Sequence, residues 1–223
     1  LGPSERRQRE REEIRGLILD AARELFVAEG YEAVTMRRIA ERIEYSATAI
    51  YFHFKDKEAL MGELCAVDFY TLATQLTKIA RVEDPLERMR RIGHAYADFA
   101  AEFPNHYRLM FMTPHPQGNI PDVAMKRHGN PEEDAYAFLK STVEQAIAEK
   151  RLRPEYSDPE LVSQTVWAGV HGVVSLSIAK ESDPWVEWRP IKKRVTTMID
   201  IMVDGLALAK PRRAGSPTRP GAK

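Results

Sequence analysis

The tightest constraint on this chain lies in residues 35–54, where two short apolar-periodic segments flank a polar break. Met36, Ile39, Ala40 and Ile43 form the first segment, and Ala47, Ile50, Tyr51 and Phe54 form the second. Both follow the i, i+3, i+4, i+7 spacing that gives a helix one buried face. Thr35 and Ser46 stand where N-caps belong, because a hydroxyl there can accept from an orphan backbone N–H of the first turn. The break, Glu44-Tyr45, has room only for a tight turn. Two short helices joined in this way, the second small and polar on its outer face, predict a helix-turn-helix. The second helix of such a unit enters a DNA major groove.

The same residues resemble the DNA-binding signature of the TetR family of bacterial transcriptional repressors. Thr35, Ile39-Ala40, Ser46 and the run Ile50-Tyr51-Phe52-His53-Phe54-Lys55, followed by Lys57 and Leu60, carry the likeness. Ala21-Ala22, Leu25-Phe26, Gly30-Tyr31 and Val34-Thr35 extend it upstream, so that it spans residues 14–60. One position departs. The family's turn usually holds glycine, and here it is Glu44. A non-glycine residue in the left-handed conformation costs about 1–2 kcal/mol, so the turn is expected to differ in shape from the family's.

Composition bounds the answer without pointing to DNA. A chain of 223 residues suffices for one large or two small domains and a sizeable core. Cys65 is the single cysteine, which excludes an internal disulfide and suggests a reducing, cytoplasmic setting. No apolar run is expected to reach membrane-spanning length, and the charged start lacks the apolar core of a secretory signal. Formal net charge is +0, and residues 1–60 hold 9 Arg and 2 Lys against 10 Glu and 2 Asp, a net of −1. A basic footprint must therefore be local. From residue 35 to 57, Arg37, Arg38, Arg42, Lys55 and Lys57 exceed Glu41, Glu44 and Asp56 by +2.

Periodicity and capping predict an all-α chain. Residues 1–12, rich in Arg and Glu, read as a flexible arm. Residues 13–60 read as a three-helix, helix-turn-helix DNA-binding domain, its first helix over 13–29 and capped by Gly30. Residues 61–209 read as a helical ligand-binding and dimerisation bundle. Its helices are expected at 57–79, 85–104, 105–112, 131–150, 159–180 and 191–208, with Asp56, Asp84-Pro85 and Asp158-Pro159 as start signals. Residues 113–121 carry three prolines and a glycine and read as a loop. Residues 210–223, basic and rich in Pro and Gly, read as a disordered tail. No strand is expected.

Within the helix-turn-helix, Ala47, Thr48 and Ala49 open the second helix, where base edges are read. Thr48 can hydrogen-bond a base, and the alanines offer only methyl contacts. Arg37 can fork onto guanine or a phosphate. Thr35, Ser46, Tyr51, His53 and Lys57 are assigned to phosphates, which position without specifying; matching positions in the resembled family do these jobs. Each has a plainer reading beside it. Ile39, Ile50 and Phe54 are core, Tyr51 is core or surface, and His53 outside the motif would be an ordinary surface histidine. The arginines at 6, 7, 9 and 11 are a charged, mobile end or a follower of the phosphate backbone.

The rest of the chain is rich in large soft side chains. Tyr70, Tyr96, Phe99, Phe103, Tyr107, Phe111 and Phe138 are core by default, or they line an apolar cavity between helices. Trp167 and His171 lie four apart on one helix face. With Gly172 they resemble the Trp-x-x-x-His-Gly pattern of one TetR-type C-terminal domain. His171 is either a hydrogen-bonding ligand contact or a satisfied core histidine. Gly169 and Gly172 cost about 1 kcal/mol each in a helix, and close packing at a dimer seam is the simplest justification. The resemblance implies that the last two long helices pair with their copies, using Val173, Ile178, Val195, Ile199, Met202 and Val203; the alternative is an intramolecular core. The expected protein is a homodimeric repressor on a palindromic operator, released by a small apolar or amphipathic effector, with no cofactor or metal. The rival is a helical metal- or small-molecule-binding protein or enzyme with a degenerate DNA-binding module. His94, Asp98 and Glu102 share a helix face that suits a metal, or simply face solvent. Nucleophile-elbow, phosphate-loop and dinucleotide-binding fingerprints are absent.

Overall fold

The computed structural model describes residues 2–114 and 120–208. The tail expected to be disordered, and most of the loop expected at 113–121, lie outside the described residues. Ten helices form among them: α1 (Pro3–Glu29), α2 (Met36–Arg42), α3 (Ala47–His53), α4 (Lys57–Thr77), α5 (Pro85–Glu102), α6 (Pro104–Phe111), α7 (Asp122–Arg127), α8 (Ala135–Ala148), α9 (Pro159–Lys180) and α10 (Ile191–Leu206). The chain is all-α, with one isolated bridge between Leu152 and Ala207 that ends α10 two residues early.

Local chemistry sets most of the starts. The Asp56 carboxylate accepts from Ala59 N, Asp84 from Leu86 N and Glu87 N, Asp134 from Tyr136 N and Ala137 N, and Asp158 from Glu160 N and Leu161 N. Each satisfies donors that the first turn leaves unpaired. Pro85 and Pro159 follow two of these caps at the first helical position.

Three expectations change. The stretch assigned to an arm is helical from Pro3, so α1 begins well before residue 13. Pro3 occupies the first turn, Gly2 N donates to Glu5, and Gln8 donates to Glu12. The helix expected from residue 131 begins only at Ala135, because Asn130 and Asp134 hold residues 130–134 in a capped turn. Finally, α9 does have the length and mean hydropathy, 1.3, of a membrane-spanning helix. Its apolar side chains are shared between the core and an exposed outer face.

Two cores form. Ile18, Leu25, Phe26, Ile39, Ile50, Phe54, Leu60 and Leu64 join α1–α4 in the first. The second gathers α4, α5, α6, α8, α9 and α10 around Phe99, Tyr107, Val143, Val170, Ile199 and Val203. Helix α6 belongs to both, since Leu109 is buried in the first while Tyr107 and Met110 are buried in the second. The glycine expectation also divides. A Cβ on Gly169 would fall 2.2 Å from Met202 Sδ, so its close approach is to α10 of the same chain, whereas a Cβ on Gly172 would meet nothing within 4 Å. Val195, Ile199 and Val203 are buried within the chain, and Val173, Ile178 and Met202 pack against that core. Val195, Ile199 and Val203 thus serve the intramolecular packing, while Val173, Ile178 and Met202 are half-buried and keep part of their surface exposed.

Candidate functional site

The helix-turn-helix is assembled by its own caps. Thr35 Oγ1 accepts from Arg38 N at 3.1 Å, and Ser46 Oγ accepts from Ala49 N at 3.2 Å. Between the helices Glu44 adopts φ 61°, inside the left-handed region. The turn keeps that conformation despite the missing glycine. Ile50 and Phe54 are buried, which leaves the first turn of α3 facing outward, with Thr48 exposed and Ala47 and Ala49 half-buried. Tyr51 is 53% exposed, which decides for the surface over the core. Arg37 is exposed and paired with Glu41 on the same helix at 3.1 Å.

Two assigned residues also have partners or burial within the chain. The Lys57 ammonium donates to the carbonyls of Tyr31 at 2.8 Å and Val34 at 3.0 Å, and sits 4.2 Å from the Tyr31 ring centre. Its charge ties the α1–α2 loop to the start of α4, a structural task beside the phosphate contact expected. His53 is half-buried, with Nδ1 buried and lacking a hydrogen-bond partner. Burial, then Arg11 and Arg15, hold its pKa below the ordinary histidine value, so the imidazole is neutral near pH 7. It can offer a hydrogen bond to an anion, but no charge. Phe52 escaped the sequence reading. It is 71% exposed on α3, with the Arg11 guanidinium 5.3 Å above its ring. The lack of any large apolar residue three or four positions away was the available signal.

Farther from this surface, the predicted aromatic residues divide. Tyr96 Oη and Tyr107 Oη lie 2.9 and 2.7 Å from His171 Nδ1, and Trp167 Nε1–H donates to Tyr96 Oη at 3.2 Å. Phe111 packs against the rings of Tyr107 and His171 at 4.9 and 5.3 Å. Burial pushes the Tyr96 phenol up to about 12 and lowers the His171 imidazole, so both are neutral near pH 7. Tyr96, Phe111 and Trp167 line a cavity of about 140 Å³, and Tyr70 lines a larger one of about 800 Å³ beside it. Phe99, Phe103 and Phe138 line neither; they are packing residues, with the rings of Phe99 and Phe103 tilted against one another at 5.4 Å. His94, Asp98 and Glu102 face solvent, and among the described residues no group of three or more His, Cys, Asp or Glu is placed to hold a metal.

A buried ion pair that sequence reading missed links α1 to α4. Arg23 of α1 is nearly buried and binds Asp68 of α4 at 2.8 and 3.2 Å, with Asp20 at 2.7 Å. His106 of α6 approaches the same Asp68 carboxylate to 2.9 Å without hydrogen-bond alignment. Asp68 lies 45 residues from Arg23, so no local pattern pairs them.

Two family comparisons bear on this architecture. Residues 18–64 match the sequence model described as bacterial regulatory proteins, tetR family, and residues 89–202 match that of the tetracyclin repressor-like C-terminal domain. The chain belongs to the TetR family. This is a family of regulators rather than enzymes, and the metal-enzyme rival falls with that finding. Among curated TetR-type relatives, the chain is 34% identical over 102 residues to the HTH-type transcriptional activator FasR of Mycolicibacterium smegmatis, covering 45% of this chain and 47% of FasR. It is 39% identical over 66 residues to the HTH-type transcriptional repressor AcnR of Corynebacterium diphtheriae, covering 30% of this chain and 35% of AcnR. The aligned part thus spans about half or less of these relatives' length. The transcriptional regulator FadR from Bacillus subtilis, solved in complex with stearoyl-CoA, shares the fold with a TM-score of 0.69 at 15% identity, over 85% of this chain and 98% of that one.

Proposed function

We propose that this TetR-family chain regulates transcription as a homodimer. It grips a palindromic operator through Thr35, Arg37, Ser46, Ala47, Thr48, Ala49 and Tyr51, and lets go when a small apolar or amphipathic effector enters the cavities. The observation that carries the reading is the placement of α4. Leu60 and Leu64 of this helix are buried in the helix-turn-helix core, while Met61, Cys65, Phe69, Leu72 and Leu76 line one or both cavities. A molecule that displaces α4 therefore displaces the reading helices.

A second copy suits the outer faces of α9 and α10. Leu161, Thr165, Ala168, Gly172, Leu176 and Ala179 fall on one stripe of α9 by helical spacing, and all are exposed except the half-buried Gly172. On α10, Ile201 is 66% exposed. Small residues along such a stripe let two backbones approach closely. Half-sites one helical turn apart, about 34–36 Å, need two helix-turn-helix units held at fixed spacing. One named relative is an activator and another a repressor; release on effector binding favours repression here. FadR was solved with an acyl chain, and an aliphatic chain suits the apolar inner cavity.

A differential affinity worth about 1–3 kcal/mol gives a 5–150-fold change in operator binding. The test is selection of bound duplexes from a random DNA pool, then titration of the winner in varied salt. A palindromic consensus bound far tighter than random DNA is expected. Equal binding of all duplexes, governed by salt alone, overturns the reading.

A further inference from the structure

The two cavities meet at Phe69, Asp134 and Ala135, which line both. Their chemistry differs. The inner one, about 140 Å³, is walled by Leu72, Leu76, Ile92, Leu139, Val166 and Val170, and its one charged lining residue, Asp134, is shared with the outer cavity. It is close in size to an engineered apolar cavity of about 150 Å³ that stays dry and takes benzene. The outer one, about 800 Å³, is lined by Glu58, Glu133 and Asp134 against the single guanidinium of Arg127, with His128 beside them. Three carboxylates and one guanidinium leave a net −2 before His128 is counted.

The negative charge is only partly used. Asp134 caps α8, accepts from Gly129 N, and lies 3.3 Å from His128 Nδ1. Glu133 accepts from the Asn130 amide, a neutral partner that leaves its charge in place. Glu58 has no ion pair among the described residues. The field reaches the far wall, where burial, then Glu58, Glu32 and Asp56, raise the Tyr31 phenol above its ordinary value. Lys57 is not among the lining residues; its ammonium lies on the Tyr31 and Val34 carbonyls and 4.2 Å from the Tyr31 ring centre, so that ring already carries a cation. A cation already lies on an aromatic face of the cavity: Arg127 Cζ is 3.7 Å from the Tyr70 ring centre. Carboxylates beside aromatic faces are the chemistry that holds organic cations.

Resting on the reading that these cavities hold the effector, we propose that the effector is a cationic amphiphile. Its ammonium or amidinium head sits in the outer cavity beside Glu58, Glu133 and the Tyr70 ring, and the end of its apolar tail passes Phe69 into the inner cavity. An anionic head of the same length meets the carboxylates instead.

The test uses the full chain and three probes with a common twelve-carbon tail, each below its micelle concentration: dodecyltrimethylammonium, dodecanoate and a neutral dodecyl maltoside. Affinity is read by calorimetry, and release by anisotropy of the labelled duplex found in the selection. The ammonium probe is expected to bind at least 10-fold tighter than dodecanoate and to release the duplex. Glu58→Gln with Glu133→Gln is expected to lower ammonium affinity at least 5-fold while leaving the neutral probe unchanged, which also shows that the variant is folded. Leu139→Trp, which fills the inner cavity, is expected to weaken all three. If dodecanoate or the neutral probe binds as tightly as the ammonium, the cationic assignment is overturned while the cavity reading stands. If all three bind alike in wild type and Leu139→Trp, or none binds, the cavity reading falls as well.

Discussion

Glu44 carries a strain that glycine would not. Its φ of 61° places a Cβ where the left-handed region costs about 1–2 kcal/mol. Glu44→Gly is therefore expected to raise stability by about 1 kcal/mol, after the greater entropy of the unfolded glycine is deducted. The readout is a higher urea midpoint at unchanged m-value; an unmoved midpoint would mean the glutamate side chain offsets the strain. Lys57 makes the opposite case, a residue whose motif role and local role compete. Lys57→Met removes two buried carbonyl contacts, and a loss of about 1–3 kcal/mol is expected with no change in the salt dependence of DNA binding. A slope lowered by about one unit would return Lys57 to the phosphates. These two residues show where sequence reading holds at this scale. The caps Thr35, Ser46, Asp56, Asp84 and Asp158 were legible because each acts on an N–H two or three residues away. The partners of Lys57 lie 23 and 26 residues upstream, and those of Asp68 lie on two other helices, so chain spacing carries no trace of them.

Helices α9 and α10 were placed to within two residues, yet spacing alone left open which faces they bury, because α9 is apolar on more than one side. Its inner face ends in the Tyr96–Tyr107–His171 cluster. Burial holds the His171 pKa below its ordinary value, and an unfolded histidine takes up a proton near 6.5. The neutral imidazole therefore contributes stability that is complete above about pH 6.5 and is lost as pH falls through and below that value. His171→Gln is expected to flatten the fall in melting temperature between pH 7.5 and 5.5 relative to wild type, with His53 left to supply part of the remaining fall. Parallel curves would show that the cluster tolerates the charged form. The helical glycines separate by what surrounds them. A Cβ on Gly93 would come within 2.8 Å of Ile199 Cδ1, an almost fully buried side chain. Gly93→Ala is expected to overpack that contact at a cost of about 1–3 kcal/mol, against a helix-propensity gain of about 1 kcal/mol. Comparing its melting temperature with that of Gly172→Ala, expected to be higher because nothing surrounds that Cβ within the chain, separates packing from propensity.

The molecule as a whole is two cores joined by α4, α6 and the Arg23–Asp68 pair, with an apolar stripe left uncovered along α9. A regulator that must hold two reading helices at fixed spacing needs a rigid link between copies, and this stripe runs along the exposed face of α9. Leu176 is 51% exposed and Ile201 66% exposed, so replacing them leaves the core of one chain intact. Leu176→Glu with Ile201→Glu places like charges opposite their copies across a two-fold seam, where every repulsion occurs twice. The expected result is a monomer in sedimentation velocity with an unchanged far-UV spectrum. Binding to the palindromic duplex should fall to the level of a single half-site, while affinity for that isolated half-site stays as in wild type. Retention of the dimer would place the seam elsewhere and leave the α9 stripe for another partner. Loss of half-site binding as well would mean that the helix-turn-helix draws its own stability from the second copy, since the α6 and α4 helices that support it are packed against the bundle the seam would hold.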